Sequence, residues 1–168
     1  MNNDVNNVII NLVENTEENG KLIMEWRNNI ITRNMSHNSD LKKWGDFKEE
    51  FTNKYFNNYI QPLFAYYNNE KIAFIGCVSN NENDKETSKE ICKIGINISP
   101  QYRGKKLGKI ILNNTIAYIK KNFPLTKKII AEIKTINIIS CKLFESCNFK
   151  FIDLKKNTEN IYVYHYDI

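Results

Sequence analysis

Between Pro100 and Gly108 the sequence reads PQYRGKKLG, which gathers Arg103, Lys105 and Lys106 around Gly104 and Gly108. The residues before it are strand-like and those after it are helix-like. A turn in that place presents unpaired backbone N–H groups beside positive charge, at the end where a helix dipole favours an anion. The chemistry to expect is capture of a phosphate or pyrophosphate. Gly104 and Gly108 let the backbone approach closely, while Arg103, Lys105 and Lys106 supply charge. Taken alone, such a turn also fits a solvated helix cap. Two nucleotide motifs are excluded by spacing: a Walker A loop requires G-x-x-x-x-G-K-[ST], which GKKLGKI does not match, and no G-x-G-x-x-G opens a parallel βαβ unit.

Groups able to move protons are few. His37, in RNMSHNS, follows the first helix, and a neutral imidazole can deprotonate an amine near pH 7; a lone loop histidine is as readily a surface residue. His165 falls in an alternating final strand. Glu90 stands three residues before Lys93 and shares its face only across a bulge. Cys77, Cys92, Cys141 and Cys147 form no C-x-x-C pair, and two scattered histidines do not complete a zinc set with them. Reduced, structural thiols and no metal are expected.

The elements that must position these groups are readable from periodicity. Val8 to Val13 reads as a strand, and Leu22, Ile23, Trp26 and Ile30 fall at helical spacing, with Gly20 leaving the helix start open. Trp44, Phe47, Phe51, Tyr55 and Tyr59 recur every three to four residues, which predicts a helix with an aromatic core stripe over 44–59, ended by Pro62. Two strands flank Asn68-Asn69, a hairpin turn tolerating positive φ. A polar loop over 79–90 leads to a strand at Ile91 to Ile98, stopped by Pro100. Leu107 to Phe123 is the clearest helix, followed by the strand KKIIAEI, a short helix from Asn137 to Cys147, and the strands FKFIDL and IYVYHYDI around a turn at Lys156 to Asn160. Helices interspersed around a mainly antiparallel sheet predict one α+β domain over residues 1–168.

Composition bounds the setting. The 168 residues, 42% apolar, suffice for a continuous core, and no run approaches the roughly 18 apolar residues of a membrane span. The opening MNNDVNNVII lacks the basic and apolar regions of a secretory signal, so a cytoplasmic location is expected. A net charge of +5 is spread along the chain rather than gathered in one arm, which favours a small anionic ligand over nucleic acid. Overuse of Asn, Lys and Ile with few arginines suggests a low-GC genome, and warns against reading every asparagine as functional.

PQYRGKKLGKIIL resembles the P-x-Y-R-G-x-G-x-G-x-x-L-L of the GCN5-related N-acetyltransferases (GNAT), and NIISCKLFESCNFKF, about thirty residues on, is similar to their N-x-x-[AS]-x-x-L-Y-E-x-x-G-F. The resemblance covers almost the whole chain. It implies a mixed, mainly antiparallel central sheet flanked by helices and splayed at its fourth and fifth strands, and acetyl-CoA as cofactor. It further implies that Ile96 and Ile98 meet the pantetheine arm, that Arg103, Gly104, Lys105, Lys106, Leu107 and Gly108 hold the pyrophosphate, and that Asn137, Ser140 and Phe144 align the cofactor. Three positions depart from the pattern. Lys106 replaces a Gly or Ala, Asn148 a Gly, and Phe144 the Tyr that would protonate departing thiolate.

EWRNNIITRNM is similar to the W-R-N segment of a branch that includes ribosomal-protein and amino-sugar acetyltransferases. That likeness implies acceptor contacts for Trp26, Arg27 and Asn28, though a helix end with Trp26 in the core and Arg27 capping carbonyls fits the same residues; Met35 and His37 are further acceptor candidates, and Glu90 and His37 are the candidate bases. A nucleotide-linked 4-amino sugar is the favoured acceptor. A protein N-terminus or lysine, and a non-catalytic acetyl-CoA-binding domain, stay open beside it, and a homodimer is compatible with the family.

Overall fold

A computed structural model describes residues 7–79, 89–156 and 160–168. Strands β1 (Val8–Leu12), β2 (Leu63–Tyr67), β3 (Glu70–Ser79) and β4 (Ile91–Ile98) form an antiparallel meander. With β5 (Lys128–Lys134), β6 (Lys150–Lys156) and β7 (Asn160–Asp167) they make one sheet in the order β1-β2-β3-β4-β5-β7-β6. Among these neighbours the β4–β5 contact alone is parallel. Asn68 and Asn69, at φ 49° and 64°, close the β2–β3 hairpin as their side chains allow. Most of the polar 79–90 loop, the turn residues 157–159 and the first six residues lie outside the described chain.

Helix α1 (Glu17–Asn28) starts where Thr16 accepts a hydrogen bond from the Asn19 amide at 3.3 Å, with Glu17 and Glu18 complementing the dipole. Gly20 lies inside this helix for want of space, not at its start. A β-carbon there would sit 2.7 Å from the Trp44 ring and 2.9 Å from Phe51. The periodicity carrying the helix on to Ile30 is interrupted: Asn29 leaves helical geometry (φ −55°, ψ 133°) and caps the Ile31 amide of a separate helix, α2 (Ile30–Met35). Asparagine competes with the helix for backbone groups, which is why the break falls there.

The aromatic helix predicted over 44–59 is shorter. Helix α3 (Trp44–Glu49) passes into a wider π turn, Glu50–Tyr55, and stops. Tyr59 is left outside it, packed edge-on against Phe123 at 5.4 Å. Helices α4 (Gly108–Asn122) and α5 (Ile138–Ser146) occur as their spacing predicts, and Asn148, at φ 66°, takes the left-handed conformation beyond the end of α5. Each sheet face carries its own core. Ile111, Leu112, Ile119 and Phe144 pack on one face, while Ile23, Trp26, Phe47, Phe51 and Phe64 pack on the other. All four cysteines are buried and free.

Replacing Gly20 with alanine tests this packing. The added methyl meets two aromatic rings in a filled core, and overpacking of that kind costs about 1–3 kcal/mol, more than the roughly 1 kcal/mol gained in helix propensity. Chemical denaturation of Gly20→Ala should show a lower midpoint at unchanged slope.

Candidate active site

β4 and β5 stay in register for the pairs Ile91↔Lys128, Cys92↔Ile129 and Lys93↔Ile130, and then separate. Beyond that point β4 remains paired with β3, and β5 with β7. The gap is a cleft of about 460 Å³ running through the sheet, walled by residues 94–97 and 131–133. Asn137, Ser140 and Phe144 close it on the α5 side, and Arg27, Met35, His37 and Tyr55 on the other.

At the same end of β4 the chain enters a turn at Pro100–Tyr102 and then the basic loop. Gly104 (φ 73°) and Lys106 (φ 60°) both take left-handed backbone. Lys106 therefore occupies a conformation that glycine adopts more readily. Leu107 gives α4 no side-chain cap, so the first amides of the helix stay open to a ligand. Gly108 serves close packing, since a β-carbon there would lie 3.2 Å from Leu143 of α5. Gly104, Lys105 and Lys106 are exposed, with Lys105 Nζ 4.6 Å from the Tyr102 ring centre. An exposed basic turn with unfilled amides, joined to an open strand edge, suits a phosphorylated cofactor.

Arg103 is the exception within the loop. Its side chain turns inward: Nε donates to the Ile98 carbonyl (3.0 Å), Nη1 to Asn29 Oδ1 (2.8 Å) and Nη2 to Thr32 Oγ1 (2.6 Å). Desolvation lowers the guanidinium from its ordinary value. Arg103 is thus a strut between β4 and the α1–α2 break, with its donors engaged inside the protein, rather than one of the charges offered to a phosphate.

The opposite wall is built from paired charges. Arg27 donates to the Tyr55 hydroxyl and, at 3.4 Å, to Glu50, whose second oxygen receives Lys42 Nζ at 2.8 Å. Tyr55 Oη in turn donates to Glu50 at 3.2 Å. Burial lowers the Arg27 guanidinium while the Glu50 charge opposes that shift. On β5, Glu132 Oε1 lies 3.0 Å from Lys93 Nζ and 2.6 Å from Lys155 Nζ. Burial raises the Glu132 carboxyl, but hydrogen bonds and charge from Lys155 and Lys93 outweigh it and hold the group below its ordinary 4.5. Both carboxylates lining the cleft are therefore shared between two cations each. His37 Nε2 is 3.1 Å from the Glu132 carbonyl oxygen. Since a carbonyl only accepts, the proton sits on Nε2 and the neutral ring keeps its lone pair on Nδ1.

Several residues expected at the site are elsewhere. Glu90 stands at the paired end of β4, ion-paired with Lys127, and its backbone carbonyl takes the Lys127 amide; it does not line the cleft. Trp26 is 5% exposed and edge-on to Phe64, which makes it a core residue. Asn28 exchanges two 2.8 Å hydrogen bonds with the Lys42 backbone and pins the loop between α2 and α3. Arg27, Met35, His37, Ile96, Asn137, Ser140 and Phe144 do meet at the cleft, whereas Ile98 packs near the start of α4. Glu50, Tyr55, Lys93, Asn97 and Glu132 line it without having been singled out from sequence. The alternation of Lys93, Gly95 and Asn97 along β4 was the available signal for two of these.

Residues 24–149 match the family model described as Acetyltransferase (GNAT) family. The chain belongs to that family. It is accordingly an acetyl-CoA-dependent N-acetyltransferase, and the splay of β4 from β5 is the family's fold. No curated protein matches the chain significantly. Among solved structures it is similar to aminoglycoside acetyltransferase AAC(6')-Ib in complex with coenzyme A and kanamycin, at 16% identity, TM-score 0.77, and 95% and 94% coverage of this chain and that one. It is also similar to an N-acetyltransferase from Staphylococcus aureus Mu50, at 19% identity, TM-score 0.75, with 96% and 98% covered. A domain from Methanocaldococcus jannaschii DSM 2661 gives 24% identity, TM-score 0.71, with 96% and 98% covered.

The Glu132 cluster predicts a pH dependence. Its folded carboxyl titrates below its unfolded value, so the stability it lends is fully present above the ordinary value of 4.5 and is lost as pH falls through the lower folded value. The melting-temperature gap between wild type and Glu132→Gln should be constant from neutral to mildly acidic pH and narrow below that range.

Proposed function

We propose that the chain acetylates the primary amine of a small acceptor that also carries an anionic group, with the 4-amino group of a nucleotide-linked sugar as the favoured case. The pairing of both cleft carboxylates carries this reading. A polycationic acceptor or a basic peptide needs unpaired acidic groups, whereas Glu50 and Glu132 are each already bound by two cations. The near-parallel Tyr55 and Phe74 rings, 5.7 Å apart with 14° between planes, line the same cleft and offer an aromatic wall to a base or sugar ring.

Acetyl-CoA supplies a thioester carbonyl as the electrophile. In this reading the amides at Gly104 to Gly108, with Lys105 and Lys106, hold the pyrophosphate, and the free edge of β4 around Ile96 holds the pantetheine arm. Asn137 and Ser140 line the opposite side of the arm's path, with the Asn137 side chain already fixed by accepting the Ser140 amide at 3.3 Å. The amine must arrive neutral, and His37 Nδ1, free while Nε2–H is anchored, takes its proton. The carbon–nitrogen bond forms as the carbon–sulfur bond breaks, and the proton count closes when the thiolate is protonated. Phe144, buried against Phe149 at 4.9 Å, has no hydroxyl to donate, so that last proton comes from water in the open cleft.

The test is free-thiol release from acetyl-CoA against nucleotide-linked 4-amino sugars, basic peptides and polyamines, with product masses recorded. Acetylation of an amino sugar is expected. Turnover confined to peptides would replace that acceptor, and acetyl-CoA binding without turnover of any amine would mark a binding domain. Independently, Lys106→Glu should raise the KM for acetyl-CoA about tenfold, by reversing a charge beside the pyrophosphate. An unchanged KM would remove the phosphates from this loop.

A further inference from the structure

Asn97 lies on β4 opposite Phe74 of β3, on the cleft wall facing the acceptor side with Lys93 and Gly95. Its Nδ2 is buried and has no hydrogen-bond partner among the described residues. A buried amide donor left unpaired is costly and uncommon in a native protein, so its partner is expected from outside the chain. The other end of the same amide is occupied. Thr32 Oγ1, on α2, donates to Asn97 Oδ1 at 3.4 Å, and the Thr32 oxygen itself receives Arg103 Nη2 at 2.6 Å.

The order of donors sets the direction of this chain. Arg103 can only donate, so it fills an acceptor position of the Thr32 hydroxyl and leaves the hydroxyl proton for Asn97 Oδ1. The carbonyl end of the Asn97 amide is thereby held towards Thr32, and the NH₂ end is left unpaired among the described residues. We infer that Asn97 is an acceptor-binding residue, whose side-chain N–H groups donate to an oxygen of the acceptor, a hydroxyl, ring oxygen or carboxylate near the reacting amine, and that Thr32 is the positioning residue that sets its orientation. The inference rests on the proposed acetylation of a small oxygen-bearing amine at this cleft.

A consequence concerns the two ligands. Arg103 leads directly out of the loop assigned to the cofactor, and through Thr32 it reaches the wall that meets the acceptor. The two binding steps therefore share one strut.

Asn97→Asp keeps the size and the oxygen facing Thr32 but removes the donor. With the amine that wild type turns over best, this variant should raise the acceptor KM about ten- to hundredfold, as expected for losing a buried hydrogen bond, with the acetyl-CoA KM within twofold. Thr32→Val should show part of that defect, and Thr32→Ser should restore it, since serine keeps the hydroxyl. If Asn97→Asp retains the acceptor KM while wild type is active, Asn97 is not the donor, and the proposed activity stands without it. A second readout does not depend on turnover. The Asn97 side-chain NH₂ resonances, assigned by their loss in Asn97→Asp, are followed while a uridine-diphosphate-linked 4-amino sugar is added to the protein with CoA. A shift in a protein that acetylates nothing would keep the donor and overturn the activity; no turnover and no shift would overturn both.

Discussion

Where two parallel strands part, each leaves N–H and C=O groups along the facing edge without a ladder partner, and such groups must be met by something else. In this chain the parting occurs after Lys93 and Ile130. Both strands are anchored on their outer sides, β4 by β3 and β5 by β7, so the edges cannot drift together again. The two cores act in the same sense. α4 and α5 fill one face of the sheet and α1 to α3 cover part of the other, which leaves the opening lined from both sides. In the proposed reading a thioester arm fits such an opening as a strand would, and the amine meets it from the far face.

The two walls differ in chemistry because they differ in what lies behind them. On the α4–α5 side the cleft is backed by aliphatic side chains and Phe144, and polarity is concentrated in the loop amides and in Asn137 and Ser140. On the other side, charges are present in pairs that offset one another. Half-buried ions of this kind are tolerated because each carboxylate has cationic partners, and removing a carboxylate would leave its two cations without that partner. The acceptor wall is consequently stiff in its electrostatics, and Arg103 makes it stiff in its geometry by tying Thr32 and Asn29 to the end of β4.

What could be read from the sequence was local. The helix at α4, the Asn68-Asn69 hairpin and the two motifs are set by neighbours in the chain, and they stand where their spacing puts them. The role of Arg103 was not readable, because its partners Asn29 and Thr32 lie more than seventy residues away and nothing near Gly104 points to them. Glu132 was hidden for the same reason, its cations being on β4 and β6. Trp26 was open to two readings, since the same tryptophan that resembles an acceptor contact also fits an apolar core position at helical spacing, and the core position is the one it takes. The helical period through 44–59 concealed the widened turn, which preserves an aromatic recurrence while changing the face presented.

That widened turn, Glu50–Tyr55, carries a consequence for how this cleft can vary among related chains. A π turn holds one residue more than an α turn, and here the extra residue brings Glu50 and Tyr55, five apart, within 3.2 Å of each other. Loss of any one residue from the segment would restore ordinary helix and swing Tyr55 by about 100° around the axis, away from Glu50 and Arg27. The acceptor wall is thus written partly in chain length, so that relatives with identical cleft residues but one residue fewer here would select different amines.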